Sequence, residues 1–485
     1  MGVSSAGVSD YVNTSSGVAI GVYAANGISG AGVSVVLEFT PADLFTSGSV
    51  GFWHDYTDSS TWFQDTAGTT PATALGDPVG RVDDKSGNLI TGLQATSAAR
   101  PTYGRMPLGG VRNQITFSED LTNAAWTKSR VTAASATNVV ETVALDSHAV
   151  AISGIAAVSG VVYTATVTLE KGVLATAPTF MEILFSGGGF GSVQYAIVNV
   201  ETGAVVSTAG GATCTSAADP LTPGGFRFSY TATALSTATA GFNVQFCNNN
   251  STAVRAPSYA GLTTSDCSVY RTQVERSATA TAYQKVVQAY DVTESGVASV
   301  DALWFDGVDD HLALTAAGAD LARNTGRFTV FGGVTFTKSI TANLSVILLV
   351  SSGASASNAR VRIAGDNSAL QLAARRLDAD TALVMDSASV QVTFSNTIVA
   401  GVFDYTNADF FLRKDGAVVA TDTTTLTDGS TSDTASLAVF IGRTGSSSFF
   451  GGFMSGVITV KGVTLSESQL LQTERYLGEQ IGVTI

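Results

Sequence analysis

Val161-Val-Tyr-Thr-Ala-Thr-Val-Thr-Leu169 carries an apolar side chain at every odd position, Val161, Tyr163, Ala165, Val167 and Leu169, with threonine at most even ones. Successive side chains of a strand point to opposite faces, so a period of two puts the apolar set on one buried face. Phe226-Arg-Phe-Ser-Tyr-Thr-Ala232 repeats the pattern with its even positions, and Phe242, Val244 and Phe246 repeat it again after a glycine. Several strands at this spacing predict two stacked antiparallel sheets across residues 113–290, a jelly roll or a relative of one. From about residue 291 a second sandwich follows, with Phe328, Val330, Val334 and Phe336 on one face. Within Phe410 to Ala420 the Asp415-Gly416 pair marks a tight hairpin. The fold class read from these segments is all-β, two antiparallel β-sandwiches with an N-terminal arm and one C-terminal helix.

That helix is announced by its own start signals. Ser466 stands as N-cap, Gln469 completes a capping box, and Leu465 with Leu470 can form a hydrophobic staple. Leu470, Leu477 and Ile481 then share a face, and Gly482 ends it.

Composition agrees with strands. The 485 residues include 50 Gly against nine Pro, and only 13% are charged, about half the usual share, so small polar residues clothe much of the surface. The length accommodates two or three domains, each able to bury its own core. A net charge of −14 argues against affinity based on phosphate neutralisation, which needs clustered Lys and Arg; no nucleic-acid partner is expected. Cys214, Cys247 and Cys267 are odd in number and show no close pairing, so buried free thiols are expected rather than a disulfide framework or a zinc site. The start MGVSSAGVSDYVN lacks the basic and apolar regions of a secretory signal, and the best apolar run, Val346 to Val350, is far short of a membrane span. Synthesis in a cytoplasm and no membrane insertion are the corresponding expectations. Residues 1–47, rich in Gly, Ala, Ser and Val, read as an anchoring or assembly segment that docks on something else.

Catalytic signals are missing. None of His54, His148 and His311 lies in a metalloprotease-type spacing, no G-x-S-x-G elbow or Gly-Lys dipeptide occurs, and the alternating carboxylates of concanavalin A-like glycosidases are absent. The expectation is a protein that is not an enzyme, with no catalytic residues and no cofactor other than calcium at one acidic turn.

Three passages carry a resemblance. The first runs from Phe39-Thr-Pro-Ala-Asp-Leu-Phe45 through Gly51-Phe-Trp-His-Asp55, Thr61-Trp-Phe-Gln-Asp65, Asp84-Lys-Ser-Gly-Asn88 and Gln94-Ala-Thr-Ser-Ala-Ala-Arg-Pro-Thr-Tyr103. The second is Asn113-Gln-Ile-Thr-Phe-Ser-Glu-Asp120 with Ala124-Ala-Trp-Thr-Lys128, closed by Gln273-Val-Glu-Arg276 through Tyr283. The third is Leu303-Trp-Phe-Asp-Gly-Val-Asp-Asp-His-Leu312, with Ile441-Gly-Arg443, Phe449-Phe-Gly-Gly452 and the terminal helix. Together they resemble a recurrent module of tailed-phage tail and virion proteins. The third is similar to a concanavalin A-like or laminin-G-like sandwich, and the second to a carbohydrate-binding-module-like jelly roll. The resemblance implies a discontinuous lectin-like domain, 48–112 with 291–485, interrupted by an inserted jelly roll, 113–290. It also implies a fibre, spike or decoration component on the virion surface. Its partners would be other virion proteins, further copies of itself, with a trimer expected, and host surface polysaccharide.

Two acidic turns stand out. Asp306, Asp309 and Asp310 form the densest carboxylate cluster and could hold calcium, as some laminin-G-like domains do, or simply close a polar β-turn. Asp83, Asp84 and Asn88 raise the same question more weakly. Trp53, Trp62, Trp126 and Trp304 each lie in a motif of the resembled framework, which favours core packing over an exposed sugar platform. No glycan-contacting residue is singled out by the sequence.

Overall fold

The computed structural model describes residues 39–46, 49–174, 179–247, 255–337, 344–351, 359–366, 369–387, 394–436, 438–444 and 448–485. It is all-β with one α-helix among these residues, as the alternation predicts.

One pair of sheets is built from both ends of the chain. A ten-stranded sheet runs in the order Gln284–Gln288, Asp291–Glu294, Thr102–Pro107, Ser299–Asp306, Gly451–Lys461, Arg327–Phe336, Asn396–Asp404, Asp409–Lys414 and Ala417–Asp422, with Val50–Asp55 also paired to Gly451–Lys461. A nine-stranded sheet, from Trp62–Phe63 through Ser345–Ser351 to Leu383–Asp386, completes the sandwich. Phe52, Trp62 and Val82 from the early chain share one buried cluster with Leu303, Phe305, Phe328, Val330, Val334, Phe336 and Phe403 from the late chain. The strand Gln284–Gln288 lies in the ten-stranded sheet, N-terminal to the boundary at 290 read from the sequence. Its pairing with Asp291–Glu294 across a two-residue turn draws it there, while the Ser118 N–H donates to the Val286 carbonyl (3.0 Å) and ties it to the middle of the chain.

The second pair consists of two six-stranded sheets from residues 126–275. Tyr163, Ala165, Val167 and Leu169 point into their shared core with Phe228, Tyr230, Phe242, Val244 and Phe246. The threonine face of the same strand differs from the expectation of a single buried face, because Thr164, Thr166 and Thr168 are buried too. Each hydroxyl is satisfied: Thr164 donates to the Ser277 carbonyl (2.8 Å), Thr166 accepts from Arg227 (2.5 Å), and Thr168 donates to Asp219. Polar side chains can be covered at little cost when their hydrogen bonds are remade inside the protein.

Residues 1–38 of the expected anchoring segment lie outside the described residues. Its end does not stand apart: Phe39, Ala42, Leu44 and Phe45 pack on the outer face of the ten-stranded sheet, Leu44 and Phe45 in the short 3-10 helix Pro41–Phe45. The helix Glu467–Ile481 covers the same face, with the predicted capping box formed, Leu465, Leu470, Leu477 and Ile481 buried, and Gly482 at φ +76°.

The motif residues of the third passage converge on one corner. Phe305 meets Phe450 edge-on at 5.7 Å, the Phe450 N–H donates to the Gly442 carbonyl (2.7 Å), and His311 lies 5.8 Å from the Phe440 ring. Gly452 sits at φ +144°, and a Cβ there would fall 2.0 Å from the Thr335 carbonyl oxygen on the paired strand. Gly452→Ala is therefore expected to destabilise the protein by more than about 1 kcal/mol, read as a lowered thermal midpoint; an unchanged midpoint would mean that the strand pairing is not tight there.

Candidate functional site

Each acidic turn singled out in the sequence turns out to hold a loop through its carboxylates. Asp306 Oδ1 accepts the N–H groups of Val308 (2.7 Å), Asp309 (3.2 Å) and Asp310 (3.4 Å), while Asp310 Oδ2 accepts that of Asp306 (2.8 Å). One oxygen from each of Asp306, Asp309 and Asp310 lies within 4.8 Å of the others, a set that could hold a metal ion. Calcium takes six to eight oxygens, so these three would need at least as many again from carbonyls and water. Asp84 ties its loop to the strand Val50–Asp55: Oδ1 accepts from Trp53 N (2.9 Å) and Oδ2 from Ile90 N (3.0 Å). Asp83 pairs with Arg81 (2.6 Å), and the Asn88 amide donates to the carbonyls of Ser49 (3.2 Å) and Gly51 (3.0 Å).

The tryptophans and histidines pack rather than gather. Trp62 and Trp126 are 0% and 1% exposed, one in each sandwich core, and Trp53, 7% exposed, lies under the Lys85 ammonium on the outer face. Trp304 alone of the four is half-buried, 6.1 Å from the Tyr290 ring. His54 is fully buried against the Ile90 carbonyl (2.7 Å), and burial pushes its pKa down. His148 meets the Thr142 carbonyl (3.1 Å) and His311 that of Asp309 (2.8 Å). The three cysteines are free thiols; Cys247 and Cys267 are buried, while Cys214 is half-buried with its pKa pushed up to about 12 by desolvation.

A site that the sequence did not mark lies where the start of the helix overhangs the ten-stranded sheet. A cavity of about 300 Å³ opens there. Its floor consists of cross-strand rows on the outer face: Arg327 opposite Asp404 opposite Asp409, and Thr329 opposite Val402 opposite Phe411. Val463, Thr464, Leu465 and Leu470 form the opposite wall, in the turn that the capping box fixes. Arg413 closes the inner end with all three guanidinium nitrogens engaged: Glu474 (2.9 and 3.0 Å), Glu467 (2.9 and 3.1 Å) and the Gly416 carbonyl (3.0 Å).

The polar rim is unevenly satisfied. Asp404 accepts from Arg327 Nε (3.2 Å), Asn407 Nδ2 (2.8 Å) and Asn407 N (3.2 Å). Asp409 has a buried Oδ1 with no hydrogen-bond partner, and burial, followed by repulsion from Asp404, pushes its pKa up. Half-buried Phe411 and Val402 supply apolar surface beside these groups. A few oriented polar groups next to an apolar wall are what a small-ligand pocket requires. The one legible trace in the sequence is Asp409-Phe-Phe-Leu-Arg413, where Phe410 and Leu412 take the core and Asp409, Phe411 and Arg413 are left for the other face.

No protein-family model and no curated protein matches the chain. Solved structures that overlap part of it include the CBM40 of the Ruminococcus gnavus IT-sialidase bound to α2,3-sialyllactose, at 17% identity over 36% of this chain and 95% of that one, TM-score 0.30. Domain 4 of AbnA, a GH43 extracellular arabinanase from Geobacillus stearothermophilus in complex with arabinotriose, overlaps at 15% identity, 36% and 76% coverage and TM-score 0.27. The botulinum neurotoxin serotype G binding domain overlaps at 7% identity, 38% and 44% coverage and TM-score 0.29. With TM-scores of 0.30 and below, these likenesses carry no inference about this chain.

Proposed function

We propose that the chain is a non-catalytic structural protein on the surface of a tailed-phage-type particle, a fibre, spike or decoration component that adheres to host surface glycans. The motif passages and the sparsely charged, polar surface support the structural part, and side-by-side packing into a cyclic oligomer, a trimer by expectation, fits that surface. The observation that carries the adhesive part is the cavity beside Phe411. An aromatic face can take the apolar side of a pyranose while Arg327, Asp404, Asp409 and Thr329 address its hydroxyls.

A glycan array probed with the whole chain tests this. Binding is expected, and Phe411→Ala should weaken it roughly tenfold, the loss usual for truncating a central aromatic contact, with the chain still folded. Silence across the array with a folded chain would leave a connector that binds only other virion proteins. Density for the chain in an intact particle tests the location.

The facing carboxylates Asp404 and Asp409 favour one second reading, a polysaccharide depolymerase. Both oxygens of Asp404 are taken by hydrogen bonds, which speaks against a free nucleophile. Host capsule that keeps its chain length after incubation with the protein disposes of this reading.

A further inference from the structure

Resting on the glycan reading of the same cavity, we infer that its ligand is an amino sugar, a saccharide that presents a protonated primary amine to Asp409. Every charged group around the cavity except Asp409 takes part in an ion pair. Arg413 is held by Glu467 and Glu474, and Arg327 by Asp404. Four carboxylates, Asp404, Asp409, Glu467 and Glu474, stand against two guanidinium groups, Arg327 and Arg413. Two negative charges are therefore in excess, and Asp409 is the one of the four carboxylates without an ion pair; its buried Oδ1 also lacks a donor. A ligand that brings a second acceptor or an anion there, a uronic or sialic acid, would meet uncompensated repulsion. A cationic donor at the Asp409 carboxylate offsets the excess charge, through the stronger, charge-assisted type of hydrogen bond. Val402 and Phe411 beside it ask for an apolar body, which a sugar ring provides and a bare ammonium or metal ion does not.

Asp409 faces Asp404 on the neighbouring strand, with Arg327 one strand further, Glu467 across the cavity and Arg413 four residues along its own strand; burial is the first cause that raises its pKa and Asp404 the second. A carboxyl whose folded pKa is raised favours folding while protonated and loses that advantage as pH rises through the folded value. Asp409→Asn is therefore expected to fold at neutral pH at least as well as the parent. Binding of the amine has the opposite sense: it weakens as pH falls and Asp409 takes up its proton, at a pH raised from the ordinary aspartate value.

The test is calorimetric titration of the whole chain with a glucosamine tetramer and with its fully N-acetylated counterpart. The amine form should bind roughly tenfold or more tightly, and Asp409→Asn should abolish the difference by weakening the amine form alone. Equal binding of the two tetramers, unchanged in Asp409→Asn, would overturn the inference and leave the glycan reading standing. Binding of neither overturns the inference, and the glycan array decides separately whether the glycan reading stands. A lysine-rich peptide that binds as tightly as the amine tetramer, with the same loss in Asp409→Asn, overturns the assignment to a sugar.

Discussion

Arg413→Ala should cost about 3–5 kcal/mol of stability, the usual penalty for removing one partner of a buried ion pair. Arg413 and Glu474 have side chains only 3% and 0% exposed and are joined by two hydrogen bonds of 2.9 and 3.0 Å between the sheet and the helix. Without the guanidinium, Glu474 is left charged in an apolar seam between Leu470 and Leu477. Burial already pushes its pKa up, and loss of Arg413 removes the main opposing influence. The sign of the pH dependence follows: a carboxyl raised in the folded state destabilises above its folded pKa and ceases to do so below its unfolded one. The deficit of Arg413→Ala relative to the parent should shrink as pH is lowered through the Glu474 titration. Thermal unfolding across a pH series checks this, and a deficit that does not vary with pH would place the loss in packing instead. Arg413→Met with Glu474→Leu should recover most of the stability, because an apolar pair of similar volume leaves no stranded charge.

Trp62→Ala should be the next largest effect, also about 3–5 kcal/mol, from a fully buried aromatic truncated in a packed core. Trp62 lies edge-on to Tyr103 at 5.0 Å, donates to the Asp55 carbonyl (3.4 Å), and belongs to the cluster that includes Leu303, Phe305 and Phe328. The cavity left behind therefore opens between the early and the late chain. Scanning calorimetry should show the loss in the transition of the sandwich built from residues 50–107 and 284–461, with the transition of the middle sandwich in place. Its converse, Trp126→Ala, touches only the other core. A loss confined to the middle transition after Trp62→Ala would contradict the shared core.

Much of the secondary structure was legible because its causes are local. Alternation along Val161–Leu169 fixed which side chains enter the core, Asp415-Gly416 fixed a hairpin through φ values of +47° and +83°, and Ser466 with Gln469 fixed where the helix begins. Each depends on residues within a turn or a strand of one another. The turn at Asp306 was legible for the same reason, its oxygens reaching amides two to four residues away, whereas Asp84 also accepts from Trp53, thirty-one residues earlier.

The cavity was not legible, and neither was the burial of the threonine face. Phe411 lies opposite Val402 nine positions earlier in the chain, Val402 opposite Thr329 seventy-three positions further back, and Arg413 meets Glu474 sixty-one positions later. The order of strands in a sheet sets such neighbours, and a period of two says only which face a side chain takes, not what stands beside it or above it. The sequence by itself determined strands, their buried faces and the capped helix; tertiary structure alone decided that the helix overhangs Phe411 and leaves Asp409 without a partner, since those contacts come from chain segments whose separation carries no local energetic signal.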